Sequence, residues 1–396
     1  MDWVNEGAAV RVSLISFATK AYSGPLELNG RSVVRINADL SSGEDLTQAV
    51  KLPENSNAGF VATVKAGAFD IAGSVARHWL AQPNPNGRSN ADVVKPWANG
   101  MDVTRRSSDT WIVDFGVDMA ESQAALFEAP FTHVRQFVKP VRDKTRADRE
   151  RKNWWLMARP IPAMRVALRG LPRFVATPVL AKHWLFAWLD DTVMPDHQLV
   201  VIARSDDTVL GLLQNRFHLM WSLRMCTWMG KGNDPRYTPT TCFETFPFPA
   251  DLTPAATAHQ RTETLPDGAI IPADLPPAVR PHALTIARAA KHLNDLRERW
   301  LNPPEWTRRE SEVVPLGMDA SPYPDRILAR DGYEKQLAQR TLTKLYNERP
   351  AWLAQAHEAL DAAVAAAYGW PDYTPQMPDE EILRRLLALN RERATT

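Results

Sequence analysis

Alternating apolar and polar residues predict short strands in the first third of the chain. In "EGAAVRVSLISF", which starts at Glu6, Val10, Val12 and Leu14 would share one face of a strand. "RSVVRINADL" and "TWIVDFGVDM" predict further strands, and residues 59–81 predict a strand and a short helix. "ESQAALFEAPFTHVRQFV" predicts helix on either side of Pro130. The loop-forming residues of "QPNPNGRSN" separate these elements.

Residues 172–213 predict a small β-rich unit. Its four strands would be "RFVATPVL", "WLFAWLD", "HQLVVIARS" and "VLGLL", separated by turn residues. The next segment, "QNRFHLMWSLRM", has apolar residues at helical spacing, including Phe217 and Trp221. The unit is therefore expected to end with a helix.

The segment "NDPRYTPTTCFETFPFP", residues 233–249 and here called the strap, is rich in proline and aromatic residues. Proline fixes φ and lacks a backbone donor, so we predict an extended ribbon rather than a helix. Its rings, Phe243, Phe246 and Phe248, are expected to be buried and to close the unit. Arg236 and Tyr237 lie in a Gly/Pro-rich loop, where functional residues are common.

The last third of the chain is predicted to be helical. Residues 251–280 are rich in Pro, Thr and Ala and are interpreted as a linker. An apolar stripe then runs from Ile286 to Trp300, and a second one begins at Tyr333. "AWLAQAHEALDAAVAAAYGW" predicts a helix that starts after Pro350, and acidic residues after Pro378 open another. The pattern as a whole predicts a mixed α/β chain.

Composition narrows the function classes. The 396 residues have a net charge of +1, so any site for a polyanion must be a local patch. Two cysteines, no leader-like start and no apolar run of ~20 residues predict a cytoplasmic protein without a membrane span. The one basic stretch, residues 135–152, has eight positive and three negative side chains. It is either a solvated helix face or a patch that faces phosphates.

Several stretches resemble one bacterial family. The strap and the segments "WVNEGAAVRVSLISF", "VVKPWANGMDVTRR", "WIVDFGVDM", "PVLAKHWLFAWLDD", "MPDHQLVVIAR" and "TLTKLYNERPAWLAQAHEALDAAVAAAYGW" are similar to the C-terminal part of class I adenine-specific DNA methyltransferases. These enzymes use S-adenosylmethionine and belong to the fused restriction–modification and phage-defence type. The resemblance spans nearly the whole chain and implies double-stranded DNA as the partner.

The resemblance divides the chain into regions. Residues 1–45 resemble the last strands of a doubly wound methyltransferase sheet, and residues 46–250 resemble a β-rich DNA target-recognition region. After the linker, residues 281–396 resemble a helical C-terminal extension. Phe17 matches the aromatic residue that packs against the flipped adenine, for which a π-face is suitable. The predicted DNA contacts are Arg236, Tyr237, Lys231, Arg173, Lys182 and His183.

Two motifs of that family are missing from this sequence. One is the Phe-x-Gly-x-Gly-like loop that binds S-adenosylmethionine, and the other is the Asn-Pro-Pro-Tyr or Asn-Pro-Pro-Phe loop. Asn302-Pro303-Pro304-Glu305 starts like the second motif, but we interpret it as a helix stop. No P-loop and no metal-ligand spacing is present either.

We therefore expect no cofactor or metal for this chain alone, although the complete family enzyme uses S-adenosylmethionine. Whether the chain is an enzyme is left open. It could be the recognition half of a methyltransferase, inactive without a separate chain that carries the missing half. The alternatives are a non-enzymatic DNA-binding module and a protein–protein scaffold of a defence system.

Overall fold

A computed structural model describes residues 2–5, 8–11, 14–19, 22–37, 40–229 and 234–394. The strands are β1 (Asp2–Asn5), β2 (Ala8–Arg11), β3 (Leu26–Leu28), β4 (Arg31–Val33), β5 (Gly59–Val61), β6 (Asp70–Ala72), β7 (Val94–Ala98), β8 (Thr110–Val113), β9 (Arg173–Pro178), β10 (Ala187–Asp190), β11 (Met194–Pro195), β12 (Leu199–Ile202), β13 (Thr227–Met229), β14 (Asp234–Arg236), β15 (Thr262–Thr264), β16 (Ile270–Pro272), β17 (Thr307–Glu310) and β18 (Arg326–Ala329).

The helices are α1 (Gly73–Ala81), α2 (Gly100–Thr104), α3 (Glu121–Ala124), α4 (Glu128–Phe137), α5 (Lys139–Arg142), α6 (Asp148–Lys152), α7 (Pro162–Leu168), α8 (Asp207–Gln214), α9 (Arg216–Met225), α10 (Arg280–Leu301), α11 (Glu334–Ala338), α12 (Leu342–Glu348), α13 (Ala351–Ala367) and α14 (Asp379–Ala394). Short 3₁₀ turns add Leu46–Gln48, Pro53–Asn55 and Asn90–Asp92. The mixed α/β fold with a helical C-terminal region is as predicted. No helix in the described part of the chain is long and apolar enough to cross a bilayer.

Two four-stranded sheets form the centre of the fold. One has the order β10-β9-β12-β5 with antiparallel pairs, and the other has the order β11-β7-β8-β6 with one parallel pair, β11 with β7. Three of the four strands predicted for residues 172–213 are present. The fourth, "VLGLL", is wrong, because it lies in helix α8. Every residue of α8 is buried, and a fully apolar run does not distinguish a strand from a helix.

The strands before residue 45 form two hairpins, β1 with β2 and β3 with β4. The strand predicted through Phe17 is shorter than expected, since β2 ends at Arg11 and residues 14–19 have no regular structure. Leu14 is 80% exposed and Phe17 is 90% exposed. These apolar side chains are not packed against a sheet, so their alternation with polar residues does not correspond to a strand here.

The strap buries its rings, as predicted, but it is not extended throughout. Phe243, Phe246 and Phe248 are fully buried, and Asn55 Nδ2 donates to Phe246 O at 2.7 Å. Pro239–Phe243 winds into a π-helical turn, which corrects the prediction that the strap contains no helix. Proline is tolerated there because it occupies the first helical position, where the missing N–H would have no partner.

The helical region packs onto the sheet unit through α8 and α10. Ile286, Ala290 and Leu293 of the predicted stripe are buried against α8. Gly211 of α8 allows this close approach, because a Cβ at that position would lie 2.6 Å from Ile286 Cγ2. Gly369 has a φ of 69° just past α13, as its predicted helix-ending role requires.

The segment interpreted as a linker, residues 251–280, is packed against the same helices. Its hairpin, β15 with β16, contacts α8 and α10, and Ile271 is fully buried. Asp207 Oδ2 accepts a hydrogen bond from the Ile270 amide at 2.8 Å. The segment therefore joins the sheet unit to the helical region by tertiary contacts.

Candidate nucleic-acid interface

A groove of about 570 Å³ lies beside the carboxyl end of β9. Three cations line it, and we call it the basic groove: they are Arg105, Lys182 and Arg236. His197 is a further polar lining residue, while Leu180 and Met229 contribute apolar surface. No Asp or Glu is among the lining residues that the structure describes. The groove is therefore a local positive site on a chain with a net charge of only +1.

Arg236 is placed by main-chain pairing between the strap and the segment that follows β9. The Tyr237 amide donates to Val179 O at 2.8 Å, and Leu180 forms a β-bridge with Arg236. The side chain of Arg236 is exposed and makes no ion pair with another described residue. Its five donors are thus available at the wall of the groove.

Lys182 is held by the helical region. Lys182 Nζ donates to Asn347 Oδ1 at 2.7 Å, and His183 Nε2 lies 2.9 Å from the same oxygen. On the same helix, α12, Thr343 Oγ1 donates to Thr104 O at 3.3 Å. Helix α12 therefore contacts both sides of the groove, and it fixes Lys182 through a neutral amide that leaves the positive charge uncompensated.

Arg105 follows directly after the short helix α2. That helix begins with a capping box: Asn99 Oδ1 accepts from the Met101 amide at 2.8 Å, and Asp102 Oδ2 accepts from the Asn99 amide at 2.8 Å. The cap fixes the direction of α2 and so places Arg105, which is exposed, at the groove.

Sequence reasoning missed two of the groove residues. Arg105 could have been found, because "VVKPWANGMDVTRR" ends in two arginines within a stretch that carried the family resemblance. His197 had no such signal. Its Nδ1 lies 3.0 Å from Asp196 Oδ1, and only the folded chain brings it to the groove.

Tyr237 is a core residue, which corrects its prediction as a DNA contact. It is fully buried, and its hydroxyl donates to His218 Nε2 at 3.1 Å. Burial raises the pKa of Tyr237 well above its usual value. Burial also lowers the pKa of His218 to about 3, so the imidazole is neutral at pH 7 and accepts this hydrogen bond. A side chain enclosed in this way cannot reach a DNA groove.

Arg173, His183 and Phe17 are not among the lining residues of the basic groove. Arg173 Nη2 donates to Asp207 Oδ1 at 2.8 Å, and its guanidinium lies 3.7 Å from the ring centroid of Trp188. Its charge is thus compensated within the fold. Phe17 is not a lining residue of the groove, and its role in base stacking stays a prediction. Lys231 lies outside the described residues.

The basic stretch at residues 135–152 is divided among α4, α5 and α6. Arg142 is only 2% exposed and donates to the main-chain carbonyls of Ala66 at 3.0 Å, Lys65 at 2.9 Å and Glu150 at 3.5 Å, and it also pairs with the Glu150 carboxylate. Lys139 pairs with Asp143, and Arg151 pairs with Asp148. The side chains that stay exposed without an ion pair to another described residue are Arg135, Lys144, Arg146, Arg149 and Lys152.

The described residues offer little covalent or metal chemistry. No group of three or more His, Cys, Asp or Glu among them could hold a metal ion. Burial raises the thiol pKa to about 12 for Cys226 and to about 11 for Cys242, so neither is a nucleophile at neutral pH. Asn302 terminates α10, and its Nδ2 donates to Glu298 Oε2 at 3.1 Å, as expected for a helix stop.

Comparison with known proteins supports the fold. No protein-family model and no curated protein matches the sequence. Among solved structures, the chain is similar to the Type IIL restriction-modification enzyme MmeI, solved in complex with DNA, with a TM-score of 0.60 and 15% sequence identity. The match covers 92% of this chain and 40% of that one, so this chain spans about two fifths of the neighbour's length. At this identity the likeness concerns the fold.

Proposed function

We propose that this chain is the DNA target-recognition portion of an adenine-specific DNA methyltransferase of the restriction–modification type, and that double-stranded DNA binds across the basic groove. The observation that carries the proposal is the convergence of Arg105, Lys182 and Arg236 in one groove whose described lining residues include no carboxylate. The fold likeness to an enzyme solved with DNA supports it.

The three cations suit different tasks. A Lys ammonium is a point charge suited to a phosphate, whereas an Arg guanidinium can also bind guanine O6 and N7 with two hydrogen bonds. Lys182 is tied to a helix, so we assign it to the DNA backbone. Arg236 extends from a short hairpin, β13 with β14, and we assign it to a base edge.

The proposal assigns no S-adenosylmethionine site to the residues of this chain. The sequence has no glycine loop of the family type, and the one Asn-Pro-Pro start has its Asn302 amide donating to Glu298 at the end of α10. We therefore derive no methyl-transfer step from these residues. In the proposal, the methyl donor and the catalytic Asn-Pro-Pro loop come from a separate methyltransferase part.

The test is binding of fluorescein-labelled duplex DNA of mixed sequence, followed by fluorescence anisotropy from 50 to 200 mM salt. The triple variant Arg105→Gln, Lys182→Gln and Arg236→Gln should bind at least about tenfold more weakly at 50 mM salt. If Arg105 and Lys182 each neutralise one phosphate and Arg236 contacts a base edge, the slope of log affinity against log salt should become shallower by about 1.8.

The matched control removes three exposed cations that do not line the groove, through Arg299→Gln, Arg309→Gln and Lys335→Gln. It changes the net charge by the same amount and should change affinity less than twofold or so. Equal losses in the two triple variants would show that binding depends on net charge alone and would reject the groove. Absence of salt-dependent binding by the wild type would reject the DNA proposal.

A further inference from the structure

A second cleft of about 570 Å³ lies away from the basic groove and shares no lining residue with it. It is formed by the end of α1, the loop that follows α1, and α4. We call it the asparagine cleft, and its informative lining residues are Trp79, Asn84, Asn90, Glu128, His133 and Phe137. Its volume is within the range of small-molecule sites.

Three aromatic side chains lie next to one another in the lining of the cleft. The ring centroids of Trp79 and His133 are 5.9 Å apart, and those of His133 and Phe137 are 4.8 Å apart. His133 Nε2 donates to Ala68 O at 3.0 Å, and burial lowers the pKa of His133, so the ring is neutral near pH 7. The planes of these two pairs meet at 66° and 47°, so a planar heterocycle would stack on one of the rings and contact the others at their edges.

Two asparagine amides in the cleft lack hydrogen-bond partners. Asn90 is 7% exposed; its Nδ2 donates to Trp79 O at 3.0 Å, which leaves Oδ1 without a partner. Asn84 has no partner for Nδ2 or for Oδ1. Buried polar atoms are nearly always paired, so three such atoms in residues that line one cleft require an explanation, and all three are shielded from solvent in this conformation.

The charges of the cleft restrict its ligand. No Lys or Arg is among its described lining residues, so these offer no cation to a phosphate group. Glu128 is exposed and supplies a carboxylate that can accept from an amino group. An asparagine amide offers a donor and an acceptor side by side, which matches the ring nitrogen and exocyclic amine of adenine.

We propose that the asparagine cleft binds an uncharged nucleoside whose base carries an exocyclic amino group beside a ring nitrogen, such as adenosine or cytidine. The base stacks on one of the three aromatic rings, the Asn84 amide pairs with its edge, and Glu128 accepts from the amino group. Both amide atoms of Asn84 are shielded from solvent, so pairing requires this side chain to rotate toward the cleft. The site is separate from the proposed DNA groove.

The test is isothermal titration calorimetry of the full chain with adenosine, cytidine, uridine, AMP and a short oligo-dA strand. Adenosine and cytidine should bind saturably, and uridine at least about tenfold more weakly, because it lacks the amino group. AMP should bind no more tightly than adenosine. Tighter binding of AMP or of oligo-dA would overturn the assignment to an uncharged nucleoside, and no saturable heat with any of them would overturn the site.

Neighbouring asparagines provide the matched variants. Asn84→Leu should weaken adenosine binding by about tenfold or more without lowering the thermal midpoint, since its amide has no partner to lose. Asn86→Leu, on the same loop but outside the cleft lining, should keep the affinity. Equal effects of the two variants would contradict the proposal.

Two further variants separate the cleft from folding and from DNA binding. Glu128→Gln alters an exposed side chain, so it should fold normally and reduce the preference for adenosine over uridine; an unchanged preference would remove Glu128 from the site. The triple variant of the basic groove should keep its adenosine affinity. A parallel loss of DNA and adenosine binding in that variant would contradict two independent sites.

Discussion

The chain has two basic regions, and they are built in opposite ways. The stretch at residues 135–152 is dense in sequence, with eight positive side chains, whereas the basic groove takes its three cations from positions 105, 182 and 236. In the folded chain the dense stretch loses Arg142 to the interior and two further cations to ion pairs. The groove keeps all three of its charges, because no carboxylate is among the lining residues in the described part of the chain.

The comparison shows that charge density along a sequence is a poor guide to the field at a surface. Side chains of successive residues point around a helix in different directions, and α5 and α6 are only four and five residues long. The groove, in contrast, depends on which strand and helix ends meet. The following predictions test this difference, from the largest expected effect to the smallest.

Arg142 should be needed for folding and not for DNA binding. Arg142→Met removes the donors to Ala66 O and Lys65 O and the ion pair with Glu150; Lys65 O keeps the Ala158 amide, but Ala66 O and the Glu150 carboxylate lose a partner, which should lower stability by about 3 kcal/mol. Chemical denaturation of the purified variant measures the change. Arg142→Lys keeps the charge but loses the planar guanidinium, so its stability should lie between that of the wild type and that of Arg142→Met. An Arg142→Met protein that is stable but binds DNA more weakly would show that Arg142 serves DNA binding and not folding.

Arg236 should contribute to sequence preference. Arg236→Gln should weaken binding to the preferred sequence by about 1–3 kcal/mol and weaken binding to other sequences less, if the guanidinium contacts a base edge. Selection of bound sequences from a random duplex library, followed by competition with the wild type, measures both quantities. A uniform loss on all sequences would assign Arg236 to a phosphate instead.

The sequence predicted the parts of this fold that depend on local pattern. The helices α13 and α14 follow from proline, glycine and acidic residues at their ends, and burial of Phe243 follows from its apolar character. The strand predicted for "VLGLL" was wrong for the opposite reason. This segment has no polar residue whose spacing could distinguish a strand from a helix. Whether such a segment forms a strand or a helix is decided by its tertiary contacts.

The residues of the candidate site were also predicted only where their position depends on the local sequence. Arg236 and Lys182 were predicted and lie together in the groove, but Arg105 was missed because its position depends on α2 packing beside β9. Tyr237 follows Arg236 in sequence, yet strand geometry sends adjacent side chains to opposite faces, so one is exposed and the other buried. The prediction that both residues lie in a loop could not show that Arg236 is exposed and Tyr237 is buried.

Asn347 should act on DNA binding by positioning Lys182. Asn347→Leu removes the acceptor shared by Lys182 and His183 and should weaken DNA binding by about 0.5–1 kcal/mol, because Lys182 becomes less ordered. Asn347→Asp keeps an acceptor but puts a negative charge beside the groove, so it should weaken binding further and make the salt slope shallower. Anisotropy with labelled duplex measures both variants. If both bind like the wild type, Lys182 does not contact DNA.

The smallest effect is expected from the dense basic stretch. The variant Arg146→Gln, Arg149→Gln and Lys152→Gln removes three exposed cations, the same number as the groove variant. Charges that do not face the bound DNA act only through solvent, where the screening length is about 8 Å at physiological salt, so the affinity should change less than twofold or so.

This variant and the groove variant are compared in the same salt titration. The comparison shows whether DNA affinity depends on charges that converge in the fold or on charges that are dense in the sequence. Equal losses would mean that the DNA also lies along residues 135–152, which would make the stretch a phosphate-facing patch and extend the interface beyond the groove. A larger loss in the stretch than in the groove would overturn the groove as the main contact. A loss confined to the groove variant would leave the exposed cations of the stretch as a solvated helix face, because only charges that converge on one surface without counter-charges can hold a polyanion there.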